Sequence, residues 1–280
     1  MGPVLALTSA LFYGISDFTG GLLSRRAHFV QVAAVGQAGG LLFTVVAATV
    51  VGSPGVPASI DLAWGALSGI GTGVGMLFLF RGLSRGAMSV VVPISAVCGI
   101  AVPVLIGVAA LGERPSTLSW LGIVIAVPAL WLVAHTGTHA GPALPAAAVD
   151  GLIAGIGIAV QYISLSQAGA ESGLWPVAAG RVAAILTIVP LLPTAGGARI
   201  RRSRHTVPAA AATGAAAALA LIAYLLATRE QIAVVAVALS SLYPVVPVLL
   251  GVTVLRERLI PKQAAGLLAA ASAVALLATS

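Results

Sequence analysis

Val102–Arg114 reads VPVLIGVAALGER, and Val246–Arg258 reads VPVLLGVTVLRER. The offset is 246 − 102 = 144 residues, and nine of the thirteen positions are identical. The differing pairs are Ile106/Leu250, Ala109/Thr253, Ala110/Val254 and Gly112/Arg256. The same ungapped offset pairs Arg85 with Arg229, Gly122 with Gly266 and Gly36 with Gly180. An Ala/Val/Leu-rich chain yields apolar coincidences easily, but not Pro, Gly and a terminal Glu-Arg in register. The chain therefore reads as one unit duplicated in tandem, and such a period governs the fold.

Composition names the solvent. The 280 residues are 59% hydrophobic and 8% charged, with a mean hydropathy of +1.10, whereas soluble domains carry about 25% charged residues. The bilayer is the solvent such a chain fits. The net charge of +7 sits mainly in short connections between apolar runs, where it sets topology rather than binding nucleic acid. The single cysteine, Cys98, lies within an apolar run and excludes an intrachain disulfide.

A lipid core about 30 Å thick needs about 20 helical residues. Runs of that kind occur at 3–23, 29–51, 62–80, 88–111 and 117–134, and again at 147–167, 174–193, 207–227, 232–255 and 261–279. Gly52–Pro57 breaks the chain after the second run, and Gly65, Gly69, Gly71, Gly73 and Gly75 mark the third as a close-packing helix. The expected fold is an all-α integral membrane protein of ten transmembrane helices. Its units are 1–136 and 147–280, joined by a Gly/Pro-rich linker at 137–146. Five crossings per unit start the second copy from the opposite side, so the halves are inverted repeats, an arrangement used by transporters.

Helix-four endings of the form P-V-L-x-G with a following E-R, together with YGISDFTGGLLSRR (Tyr13–Arg26), VVVPISAV (Val90–Val97) and LSSLYPVVPVLL (Leu239–Leu250), resemble the EamA family of the drug/metabolite transporter superfamily. The resemblance covers nearly the whole chain. It implies ten helices in the plasma membrane around a central cavity, and export or exchange of small solutes such as amino acids, other metabolites or drugs. The second copy departs from the family's Gly-Glu by reading Arg256-Glu257, in a connection.

Polar side chains inside apolar runs are costly in lipid and are functional candidates by default. Asp17, Gln37, Gln161 and Arg181 stand out, and the offset pairs Asp17 with Gln161 and Gln37 with Arg181. An acid and a base facing one cavity suit the ammonium and carboxylate of a zwitterion. At about 1.5 Å rise per residue, both lie roughly 10 Å from opposite membrane faces. A substrate would bridge them more readily than a direct ion pair would. Tyr13 lies one turn before Asp17, and Ser240, Ser241 and Tyr243 flank Pro244, where freed carbonyls favour a polar lining. The substrate-binding candidates are thus Tyr13, Asp17, Gln37, Gln161, Arg181, Ser240, Ser241 and Tyr243. A packing role for the Asp/Arg/Gln group stays open beside the binding one. A carboxyl in a low-dielectric cavity can exchange a proton near neutral pH, which leaves proton coupling open, while an adjacent Arg would oppose it.

The sequence holds no nucleotide-binding loop and no metal-ligand cluster, so no cofactor is expected. The expected partners are a small-molecule substrate and the lipid bilayer, with no nucleic acid; protons as coupling ion stay open, as do monomer and homodimer. Glu113-Arg114 and Glu257-Arg258 read as structural ion pairs at helix ends. An intramembrane enzyme and a passive channel are the alternatives to transport. Orientation divides the arguments. With both termini cytoplasmic, as the family implies, outward connections hold eleven Lys/Arg and inward ones two (Arg114 and Arg229). The positive-inside rule therefore favours both termini outside.

Overall fold

A computed structural model describes residues 1–24, 26–84, 88–133, 144–193, 205–254 and 260–279. Among these there is no strand, as expected where lipid offers no partner for an open backbone edge. The α-helices are α1 (Gly2–Ser24), α2 (Phe29–Val51), α3 (Ser59–Ser84), α4 (Met88–Ala109), α5 (Thr117–Val133) and α6 (Leu144–Ser166). They continue as α7 (Trp175–Ile188), α8 (Thr206–Glu230), α9 (Ala233–Ser240), α10 (Val245–Val254) and α11 (Pro261–Ala278). Five of them, α2, α3, α6, α8 and α11, contain stretches long and apolar enough to cross a membrane by length and composition. α1 is 23 residues long but diluted by Gly, Ser, Thr and Asp17, and the remaining helices contribute shorter apolar stretches, Ile94–Ala109 of α4 among them.

The boundaries follow local chemistry. Gly52, at φ 75°, ends α2 while its N–H closes on the Ala48 carbonyl. Pro261 opens α11, where its missing N–H costs nothing. The run expected as one helix at 232–255 is two. Ser241–Pro244 forms a turn between α9 and α10, because Pro244 has no N–H to donate back to Ser240. The expected linker lies outside the described residues over 137–143. Its last residues belong to α6, which already begins at Leu144.

Packing is between the halves more than within them. α3 lies against α6 and α7, α8 against α1 and α2, α4 against α6, α1 against α9 and α10, and α5 against α11. Adding 144 to the bounds of α1 gives 146–168, against 144–166 for α6; the other helices of the first half map likewise onto α7, α8, α9 with α10, and α11. Under that shift the α3–α6 contact becomes α8–α1, α3–α7 becomes α8–α2, and α5–α11 maps onto itself. The approaches are close enough to require glycine. A Cβ on Gly69 would overlap the Gly180 carbonyl, and one on Gly214 would overlap that of Gly36.

Helix ends gather at two poles. At the pole where α1 begins, Gly2 faces Gln231, Asp61 reaches the α6–α7 connection, Glu113 reaches the start of α9, and Gly122 meets Leu277. We call this the terminal pole. At the distal pole Arg81 pairs with Asp150, and Thr19 Oγ1 meets Thr213 Oγ1 at 3.0 Å. The outside of the bundle is apolar, with Leu42, Val46, Val50, Leu121, Val124 and Leu268 all more than half exposed. Such a belt is stable only against lipid.

Candidate functional site

α1, α3, α6, α7, α8 and the α9–α10 turn enclose one cavity. Its wall includes Tyr13, Asp17, Thr72, Met76, Phe80, Gln161, Tyr162, Arg181, Ala217 and Tyr243. It runs from mid-bundle toward the distal pole, since Phe80 lies within the last turns of α3. The space open to water centres is about 50 Å³, room for a few waters at about 10–15 Å³ each.

Five of the eight expected residues, Tyr13, Asp17, Gln161, Arg181 and Tyr243, line this cavity. Gln37 stands behind the wall, fully buried, and accepts a hydrogen bond from Arg181 Nη1 at 2.9 Å. Residues paired by the 144-residue offset thus touch each other. Ser240 turns to the Ala6 carbonyl at 3.3 Å, and the Ser241 hydroxyl is buried without a partner away from the cavity. These two serines, expected near the substrate, instead pack the α9 end against its neighbours.

Arg181 is the largest fully buried side chain, 1% exposed. Its Nε and Nη2 have no hydrogen-bond partner and are closed off from water. No ion pair joins it to Asp17, so the acid and the base face one cavity without neutralising each other. A guanidinium at mid-membrane costs about 2.5–3.5 kcal/mol on insertion scales, and unpaired donors add to that. Packing alone gives no reason to retain it.

Gln161 is held at both ends. Its Oε1 accepts from Thr72 Oγ1 at 2.7 Å, and its Nε2 donates to the Tyr13 hydroxyl at 2.8 Å. Ser68 Oγ donates to the Gln161 carbonyl at 2.9 Å. Tyr13 is therefore anchored through α6 rather than through Asp17.

Sequence reasoning missed the tyrosines as a group. All four in the chain form one cluster. The Tyr13 ring lies 6.2 Å from those of Tyr162 and Tyr243, Tyr162 lies 4.5 Å from Tyr224, and the Tyr224 hydroxyl donates to the Tyr162 carbonyl at 2.9 Å. Tyr162 and Tyr224 lie toward the terminal pole, so the cluster closes the cavity on that side. Also missed were Asp61, Arg81 and Asp150. Only 7 acids occur in the chain, so an acid just inside an apolar run was the available signal. Glu113, read as half of an ion pair, instead caps α9. Its carboxylate accepts from Ala233 N at 3.0 Å and Val234 N at 2.8 Å.

The described residues make an all-helical integral membrane protein whose apolar bundle encloses a cavity with buried charge. Residues 1–134 match the EamA-like transporter family, of the drug/metabolite transporter superfamily, whose members are transporters rather than enzymes. No curated protein matches the chain. A solved structure described as "Crystal structure of protein" is similar at TM-score 0.78 over 99% of this chain and 97% of its own, at 15% identity, a likeness of fold alone.

Proposed function

We propose that the chain is a secondary active transporter that moves small zwitterionic metabolites of amino-acid type, as exporter or exchanger, across the plasma membrane by alternating access. The observation that carries this is the pair of opposite charges, Asp17 and Arg181, on the wall of one cavity without an ion pair between them. The substrate ammonium pairs with the Asp17 carboxylate and its carboxylate with the Arg181 guanidinium, while the tyrosine rings take the apolar body. Two-nitrogen recognition of a carboxylate suits arginine better than lysine. In the present conformation Nε and Nη2 are sealed, so engaging them requires the bundle to loosen, as a cycle of opening and closing does.

Ten crossings follow when α9 and α10 count as one broken span. The packing exchanged under the 144-residue shift supports inverted repeats, and with them two equivalent ways of closing the bundle. A span broken at mid-depth is the usual form of a helix that lines a transport site. Protons taken up by Asp17 couple the cycle. Reconstitution into proteoliposomes with zwitterionic amino acids, their decarboxylated amines and amphipathic cations tests the reading. Concentrative uptake of the zwitterions driven by a proton gradient is expected. Flux that only dissipates gradients would favour a channel, and preference for the amines over the zwitterions would remove Arg181 from the binding role.

A further inference from the structure

The terminal pole is closed below the tyrosines by a second layer that converges on one short segment. The α6–α7 connection, Gly169–Gly173, is held from three directions. From α3, the Asp61 carboxylate accepts from Gly169 N at 2.9 Å and from Ser172 Oγ at 2.6 Å. From α8, Arg229 Nη2 donates to the Gly173 carbonyl at 2.7 Å. From the α2–α3 connection, Ala58 N donates to Ser172 Oγ at 3.0 Å, and Gly55 N donates to the Glu171 carbonyl at 3.2 Å. Ser172 is fully buried and Asp61 is 8% exposed, so the bond between them stands out of water, where it is strongest, while Gly169–Glu171 face outward. Gly173 has φ +56°, and a Cβ there would sit 2.9 Å from that of Ser53. The segment is built to one shape and seated against three others.

We propose that Gly169–Gly173 is the gate of the terminal pole, with Asp61 and Arg229 its latch. The inference rests on the alternating-access reading. The cavity already extends toward the distal pole, so its other opening lies at the terminal pole, where this segment follows the end of α6 and is tied to the end of α8 and the start of α3. Opening there breaks the bonds of Asp61 and Arg229 to the segment's backbone, and no other group among the described residues ties α3 and α8 to it through a charged side chain.

The sequence gives the latch a direction. At the 144-residue offset the counterparts of Asp61, Arg229, Gly169 and Ser172 are His205, Arg85, Arg25 and His28. That set contains no carboxylate, so Asp61 has no acidic counterpart at the 144-residue offset. The distal pole is clasped differently, by Arg81 of α3 on Asp150 of α6, so the Asp61–Arg229 latch acts on the terminal pole alone.

The test reads accessibility and so needs no substrate. In a Cys98→Ala background, Ala227→Cys places a thiol at a fully buried position just before Arg229. Its alkylation by a soluble maleimide in nanodiscs reports opening of the terminal pole. Asp61→Asn and Arg229→Gln, each confirmed monodisperse, are expected to raise the labelling rate at least tenfold. A second variant pair, Asp61→Cys with Ser172→Cys, is expected on oxidation to abolish Ala227→Cys labelling and to stop flux, both restored by reductant. Unchanged labelling in both single variants, or an oxidised pair that still transports, overturns the latch. If labelling shifts as expected while no substrate shows flux in the parent protein, the latch stands and the transport reading fails instead.

Discussion

Replacing Arg181 with methionine should separate function from stability, because the structure assigns this side chain a cost without a matching contact. Methionine keeps the unbranched stem and removes the charge. Two nitrogens lie buried without partners, and each such donor costs about 1–3 kcal/mol. Their removal therefore relieves about 2–6 kcal/mol. Against this stands the lost bond from Nη1 to Gln37 Oε1 at 2.9 Å, which leaves a buried acceptor unpaired at about 1–3 kcal/mol. Gln37 keeps its Nε2 contact with Met76 Sδ at 3.5 Å. The balance favours the variant by roughly 1–3 kcal/mol, an upward shift of about 2–4 °C per kcal/mol on the scale of soluble domains. Gln37→Leu added to Arg181→Met removes the stranded acceptor and should raise stability again. The assay is thermal unfolding in detergent, followed by tryptophan fluorescence, alongside zwitterion uptake in proteoliposomes. Expected together are a higher midpoint and loss of uptake. A variant that melts well below the parent would refute the reasoning, because it would make the Arg181–Gln37 contact a net stabiliser of packing.

Asp17→Asn should abolish proton-driven uptake while leaving the unfolding midpoint within about 1 kcal/mol of the parent, the usual range for a partly exposed substitution; concentrative uptake at the parental rate would remove Asp17 from the path. Gly214→Ala, which brings a Cβ onto the Gly36 carbonyl, should lower monodisperse yield in size-exclusion chromatography despite alanine's better helix propensity, worth about 1 kcal/mol. Gly21→Ala, with open space around its Cβ, is the matched control and should not. Glu113→Gln should destabilise the protein by about 1–3 kcal/mol through weaker capping of α9, measured as a lower midpoint. Orientation is read by paired C-terminal fusions. An active alkaline phosphatase with a dark fluorescent protein places the termini outside, as the charge count favours; the reverse pair restores the family orientation.

The helices were legible because hydropathy is a local property, summed over about 20 residues regardless of what packs on them. Contacts were not. Arg81 and Asp150 are 69 residues apart, and each looked like an ordinary charge near the end of its run. Arg81 illustrates the cost of that view. It is one of the eleven outward charges, a count that stays at nine against two without it and Arg85, and it lies in the last turn of α3, paired with Asp150 and set 4.2 Å over the Phe78 ring. The polar layer was legible for a different reason. Asp17, Gln37, Gln161 and Arg181 are expensive wherever they point, so their presence alone marked them, whereas Ser240 and Ser241 are cheap in a helix and carried no such information. The tyrosines fall between. Each is at home in a membrane helix, and only the fold brings four rings from α1, α6, α8 and the α9–α10 turn into one cluster of edge-on and tilted contacts.

On the proposed repeat, the Gln37–Arg181 contact offers an inexpensive route to a central charge. In a two-fold arrangement only residues near the axis face their own counterparts, and these two, 144 apart, meet at 2.9 Å. On the proposed repeat, a glutamine in both copies would have bonded to itself across the axis. Changing one copy to arginine keeps that bond through Nη1 and places two further nitrogens beside the cavity. Asp17 and Gln161, the other pair at that offset, share the cavity wall. There the glutamine stays bound to Thr72 and Tyr13 while the acid is left on the wall. In each pair one copy keeps the hydrogen bonds that hold the bundle and the other carries the charge. Neutralising Arg181 should therefore cost transport without costing the fold, whereas Gln161→Leu should cost both, because it leaves the Tyr13 hydroxyl without its donor and Thr72 with only the Ser68 carbonyl. An unfolding midpoint for Gln161→Leu no lower than the parent's would break that division of labour.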